Sequence, residues 1–222
     1  IDPDTGVVTR ISPDYSIGTD AIALTYDAAT DTLYGVGFGR VITVDRITGI
    51  GSVLSSLDFP AGASITDAVH FDVSTDTLYA VDGYADDRLV RIDPATGAIA
   101  EVGVIGFEGV NAMTRHLGNG NLYAVANVGN TLLTIDPSTG LATPVASLPF
   151  STFRSLTYLP ESDQLLGLNA AQLVEIDLAT GSLIEIGSPF SGMETLVYVP
   201  EPATVVLLAL GLTVLASRPR TP

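Results

Sequence analysis

Between residues 20 and 198, apolar residues come in short runs separated by polar ones, with a near-alternation of two and no helical period. In one stretch the runs fall at about 66–72, 77–82, 88–93 and 97–104. Val, Ile, Leu and Tyr fill them, and Asp, Thr, Ser, Gly and Pro bound them. β-Branched and aromatic residues in such runs, punctuated by turn formers, predict strands. Residues 203–217 differ, being fifteen uncharged, mostly apolar residues in a row. They predict one helix of about 22 Å at 1.5 Å per residue. The chain therefore reads as an all-β body, 1–198, followed by a tail, 199–222.

The strands are organised by an internal repeat. The segment Ile1-Asp2-Pro3-Asp4-Thr5-Gly6 returns as Val44-Asp45-Arg46-Ile47-Thr48-Gly49 and as Ile92-Asp93-Pro94-Ala95-Thr96-Gly97. It returns again as Ile135-Asp136-Pro137-Ser138-Thr139-Gly140 and as Ile176-Asp177-Leu178-Ala179-Thr180-Gly181, with aspartates 43, 48, 43 and 41 residues apart. A second motif runs in phase: Leu24-Thr25-Tyr26-Asp27 followed by Thr32-Leu33-Tyr34, then Val69-His70-Phe71-Asp72 with Thr77-Leu78-Tyr79. Met113-Thr114-Arg115-His116 and Leu156-Thr157-Tyr158-Leu159 are further copies, and Leu196-Val197-Tyr198 is a half copy. The Asp-Pro-x-Thr-Gly segment predicts a hairpin turn. Pro presets φ, the Asp carboxylate accepts backbone N–H bonds, and Gly takes positive φ. Four antiparallel strands in each unit of about 40–48 residues match a β-propeller blade. Four whole blades are expected at about 20–56, 66–106, 108–148 and 152–188, plus one split between 1–13 and 191–199. The split resembles the velcro closure of propellers. It lacks a second strand, so upstream residues and further blades are expected. A sandwich does not explain the fixed period, and a solenoid coil is normally shorter.

Charge narrows the function classes. Nine arginines and no lysine face 25 acidic residues, a formal net charge of −16. Binding to nucleic acid is not expected, because a phosphate-binding face needs clustered Arg and Lys. With no cysteine, the chain has no disulfide framework, thiolate zinc site or cysteine nucleophile. The Leu-Tyr-Ala-Val and Ile-Asp-Pro-x-Thr-Gly signature resembles extracellular bacterial propellers over about 1–198, without the Gly-His or Trp-Asp pairs of WD-type blades. That likeness implies a fold and no particular activity.

The tail reads Val199-Pro200-Glu201-Pro202, the apolar run 203–217, then Arg218-Pro219-Arg220-Thr221-Pro222. At fifteen residues the run is shorter than the ~20 that usually span a bilayer. It is apolar all round, however, and arginines follow it, the flank expected on a cytoplasmic side. This order is very similar to the PEP-CTERM sorting signal. The resemblance implies that Pro200, Glu201 and Pro202 are recognised by an exosortase, a membrane transpeptidase of Gram-negative bacteria. It also implies that 203–217 is a transient inner-membrane anchor, that Arg218 and Arg220 stop it, and that the product reaches the cell surface or extracellular matrix.

Candidate chemistry is sparse. His70 and His116 occupy different repeat positions and read as strand-surface residues; no lysine or Gly-x-Ser-x-Gly elbow is present. No cofactor is expected, although Asp82, Asp86 and Asp87 offer oxygen ligands for calcium without the spacing of an EF-hand. The Asp27–Asp31 and Asp72–Asp76 pairs read as turn-forming carboxylates. Four residues before the aromatic of the first strand stand Ile22, Asp67, Asn111, Arg154 and Glu194. Asp67, Asn111, Arg154 and Glu194 are the candidate ligand rim, since first strands line a propeller channel. The expectation is an exported propeller that binds or scaffolds extracellular material, with exopolysaccharide or surface proteins as partners. The alternative is an extracellular enzyme, polysaccharide lyase-like or quinoprotein-like, with its site in the channel.

Overall fold

A computed structural model describes residues 23–37, 39–58, 65–83, 86–150, 152–169, 172–187 and 195–199. They form four four-stranded antiparallel sheets, each made of strands consecutive in sequence. The first holds β1 (Ala23–Asp27), β2 (Thr32–Gly37), β3 (Arg40–Val44) and β4 (Gly51–Ser56). The second holds β5 (Ile65–Asp72), β6 (Thr77–Asp82), β7 (Arg88–Ile92) and β8 (Ile99–Val104). The third holds β9 (Val110–Arg115), β10 (Leu122–Ala126), β11 (Thr131–Ile135) and β12 (Ala142–Ser147). The fourth holds β13 (Phe153–Leu159), β14 (Gln164–Asn169), β15 (Leu173–Ile176) and β16 (Leu183–Gly187). β1 lies beside β5, β5 beside β9, and β9 beside β13, so the sheets are the blades of a β-propeller with their first strands innermost.

The core lies between blades. One apolar cluster joins Tyr34, Val36 and Val41 of the first blade to Phe71, Leu78 and Ile92 of the second. Equivalent clusters join the second blade to the third and the third to the fourth. This explains a departure from the expected alternation: every residue of β10 is buried. A middle strand sandwiched between two neighbouring sheets buries both faces, and only outer strands such as β8 stay largely exposed.

The Asp-x-x-Thr-Gly segments, with Pro after Asp93 and Asp136 and Arg46 or Leu178 in the other two, are β3–β4-type hairpin turns. The Asp45, Asp93, Asp136 and Asp177 carboxylates each accept the amide two residues on, at 2.8–3.0 Å. The glycine amide returns to the aspartate carbonyl at 2.7–2.8 Å. These bonds favour the charged carboxylates and hold all four below the usual range. Their contribution is present above that range and lost as pH falls through it. Each glycine has φ between 70° and 78°. At Gly97 a second constraint is added, because a Cβ there would lie 2.0 Å from the Ser56 carbonyl oxygen of the preceding blade.

Hydroxyl groups stitch the inner strands. Thr25 Oγ1 accepts the Phe71 amide at 2.7 Å, and Thr157 Oγ1, at the equivalent position, accepts the Tyr198 amide at 2.8 Å. Ser155 Oγ bonds both the amide and the carbonyl of Leu196. Thr195 Oγ1 then accepts the Leu24 amide at 3.2 Å. Residues 195–199 therefore run between the inner strands of the fourth and first blades. The expected outer strands of a split blade, within 1–13, and the apolar run 203–217 lie outside the described residues.

Two glycines separate backbone strain from close packing. Gly39 has φ +79° with open space at its Cβ position, whereas Gly97 has φ +75° and the Ser56 carbonyl in the way. Gly39→Ala should cost about 1–2 kcal/mol, the left-handed penalty alone. Gly97→Ala should cost at least twice as much. Urea unfolding midpoints of the two variants check this, and equal losses would show that the blades do not press together at this turn.

Candidate functional site

Each first strand runs into a tight turn to the second, and these turns share one end of the propeller with the Asp-Pro-x-Thr-Gly hairpins. At that end the inner strands enclose a cavity of about 430 Å³. Its wall is supplied by the ends of β1, β5, β9 and β13, by their turns, and by Leu196, Val197 and Tyr198. Leu24, Val69, Met113, Leu156 and Leu196, which are equivalent in the repeat, give it an apolar body. The size suits a small molecule or the end group of a larger one.

Two of its polar groups, His70 and Arg115, stand where the repeat departs from itself. Arg115 stands where the other copies have Tyr or Phe, and it forms an ion pair with Asp72 across adjacent blades. Arg115 Nε also donates to the Gly120 carbonyl at 3.1 Å. The Asp72 side chain is only 5% exposed. Burial alone would raise its pKa, but hydrogen bonds from the Ser74 hydroxyl and amide, together with Arg115, hold it below the usual carboxylate range. His70 lines the cavity and is half-buried. Burial lowers its pKa to about 4, with Arg115 acting the same way and Asp72 opposing, so the imidazole is neutral near pH 7. Tyr158 donates to Asp163 at 2.7 Å; burial, then that hydrogen bond, pushes its phenol up to about 12.

The histidines are not the strand-surface residues expected. His70 is a cavity residue, and His116 is buried and stacked on Tyr158 with ring centroids 4.2 Å apart. His116 replaces a turn-forming aspartate. Asp27 Oδ1 and Asp72 Oδ1 accept amides two residues on at 2.8 and 3.0 Å, and His116 Nδ1 accepts the Gly118 amide at 3.1 Å. Accepting at Nδ1 puts the ring proton on Nε2, which lies 3.2 Å from Asp163 Oδ1. The reading of Asp27 and Asp72 as turn carboxylates agrees with these bonds, and Asp31 and Asp76 take the positive-φ positions of the same turns.

The remaining candidates are scattered. Asn111 and Arg154 are half-buried near the starts of β9 and β13, and neither lines the cavity, which is at the other end of these strands. The Asp67 side chain and Glu194 lie outside the described residues, as do Pro200, Glu201, Pro202, Arg218 and Arg220. Asp87 is buried, and its Oδ2 accepts the Val110 amide at 2.6 Å, a bond that ties the second blade to the third. Desolvation raises its pKa, with Glu108 and Asp82 adding to it and the Val110 and Gly109 amides opposing. Among the described residues no group of three or more His, Asp or Glu is placed to hold a metal ion, Asp82, Asp86 and Asp87 included. No helix among them is long and apolar enough to cross a membrane.

Over residues 55–196 the chain matches the family described as a repeat of unknown function, DUF6923. It belongs to that family. No curated protein matches it. Its fold is similar to that in the nidogen/laminin complex: TM-score 0.61, 15% identity, covering 81% of this chain and 68% of that one. It is also similar to a protein of unknown function from Bacteroides thetaiotaomicron, with TM-score 0.62 and 13% identity over 79% of this chain and 53% of that one. The PQQ-bound aldose sugar dehydrogenase of Streptomyces coelicolor is a third: TM-score 0.56, 16% identity, 79% of this chain and 64% of that one. At such identities the likeness establishes the fold alone. The chain spans between about half and two thirds of these proteins' lengths.

His70 gives a pH test of the cavity. Its folded pKa, about 4, lies below the ordinary 6.5. The unfolded chain therefore binds the extra proton first, and stability present above pH 6.5 is lost as pH falls toward 4. The melting temperature should drop across that window in the native protein, and the drop should be smaller in His70→Gln. Identical pH profiles would mean that His70 is solvated.

Proposed function

We propose that the chain is an exported propeller, sorted to the cell surface or matrix, that binds extracellular material at its central cavity. The observation that carries this reading is the cavity itself, an apolar space with a few polar groups converging from different blades. The reaction-competent alternative has less support. An imidazole whose pKa burial lowers from 6.5 to about 4 is a weaker base than an ordinary one and a poor proton acceptor. The solved structures that carry enzyme names share the fold, and a fold hosts many functions. Exopolysaccharide and surface proteins are the proposed partners.

Sorting rests on the tail. Residues 195–199 are bonded to the fourth and first blades, and the Pro200-Glu201-Pro202 hinge follows directly in sequence. Two prolines disfavour helix there and favour an extended link to 203–217. An exosortase acting at this hinge would release the body from a transient inner-membrane anchor.

In a host with the matching exosortase, an antibody to the blades and a tag after Pro222 should separate, blades in the matrix fraction and tag in the membrane. Glu201→Ala should keep both in the membrane. Both signals together in the matrix would refute the sorting role. Binding is tested by co-sedimentation of the full chain with cell-free matrix. Leu24→Trp, which fills the cavity from the half-buried β1 position, should reduce the pelleted fraction at least fivefold; an unchanged pellet would place binding elsewhere on the surface.

A further inference from the structure

The charged and titratable side chains of the cavity wall bear on what could enter it. Six ionisable residues line it: Tyr26, His70, Asp72, Arg115, Tyr158 and Tyr198. Two of these carry charge near neutral pH, Asp72 and Arg115, and they neutralise one another. We infer that the group entering the cavity is an uncharged molecule, or end group, with an apolar body and a hydrogen-bonding oxygen. This rests on the reading of the cavity as the binding site.

Four arguments converge. An anion would have to approach a chain of net charge −16 and then meet a guanidinium already compensated by its own carboxylate. A cation would need a free carboxylate, and Asp72 has none to give. One of its oxygens accepts the Ser74 amide and hydroxyl at 3.0 and 2.7 Å, and the other is paired with Arg115. Either ion would lose hydration against the leucine, valine and methionine wall without a counter-charge. A neutral oxygen has suitable partners. A guanidinium has five N–H donors, of which Arg115 commits one to Gly120 and one to Asp72, and neutral His70 offers one donor and one acceptor.

The ion pair is thus a specificity device as well as a tie between the second and third blades. Removing either member should redirect the cavity. Asn in place of Asp72 keeps an oxygen for the Ser74 amide and deletes the charge, leaving Arg115 as an uncompensated anion receptor. Gln in place of Arg115 leaves Asp72 to attract a cation.

The test is saturation-transfer NMR on the full chain with phenylacetamide, phenylacetate and phenethylamine, one skeleton in three charge states. Native protein should give a signal for phenylacetamide at least tenfold above the other two. Asp72→Asn should shift the preference to phenylacetate, and Arg115→Gln to phenethylamine. Leu24→Trp, or Leu117→Trp at the mouth should the first fail to fold, should abolish all three signals. Should phenylacetate bind native protein as well as phenylacetamide, with both signals lost on filling the cavity, the charge argument falls and the binding site stands. Signals that survive cavity filling, or no signal from any of the three, would overturn both.

Discussion

A single blade of this protein has no hydrophobic core of its own. Its four strands make a sheet one layer thick, and the apolar side chains on each face are buried only when another sheet lies against them. The clusters that hold the molecule together straddle blade boundaries, with Tyr34 stacked on Phe71 at 5.1 Å across the first of them. Close approach of neighbouring sheets is therefore the condition for all else, and small or absent side chains permit it. Gly97, Gly140 and Gly181 each sit where a Cβ would press on the outer strand of the preceding blade. The same glycines take the positive φ that the hairpin requires, so one residue type meets two demands at one position.

Close packing of twisted sheets around an axis leaves the inner strands as the wall of a central space. Their hydroxyls bond across to the next strand's backbone in place of a continuous ladder. Residues 195–199 take part on the same terms, because Ser155, Thr157 and Thr195 hold them between β13 and β1. The cavity wall thus includes residues nearly as far apart in sequence as the described chain allows, Leu24 and Tyr198 among them.

The fold was legible because the repeat writes the same local physics several times. Asp-x-x-Thr-Gly specifies its own hairpin through bonds within five residues, and the structure shows those bonds with or without the proline. Burial was less legible. Alternation is the signature of a sheet with one wet face, and β10, with neighbours on both faces, has none. The cavity was least legible. The rim drawn from Asp67, Asn111, Arg154 and Glu194 followed from the logic of equivalent positions. Nothing local tells which end of the inner strands closes into a cavity. The Asp72–Arg115 pair joins residues 43 apart in sequence on adjacent blades, a contact that only assembly creates.

A signal for that pair was nonetheless present. Arg115 and His116 are consecutive departures from the repeat, standing where the other copies carry an aromatic and where two of them carry an aspartate. The two departures have different consequences. His116 is a substitution that preserves the job, since its Nδ1 accepts the turn amide that a carboxylate accepts elsewhere. Its Nε2 gains a contact with Asp163 of the next blade. Arg115 changes the job. A guanidinium takes the place of a ring, and its charge needs a partner, which the preceding blade supplies from its own turn carboxylate. Asp72 is therefore both a turn former, like Asp27, and a counter-ion, unlike it. In a repeat protein the common residues report on the scaffold, and an exception either takes over their role, as His116 does, or adds a new contact, as Arg115 does. An exception that brings a charge into an apolar wall constrains its neighbour, which must supply the counter-charge, as Asp72 does for Arg115.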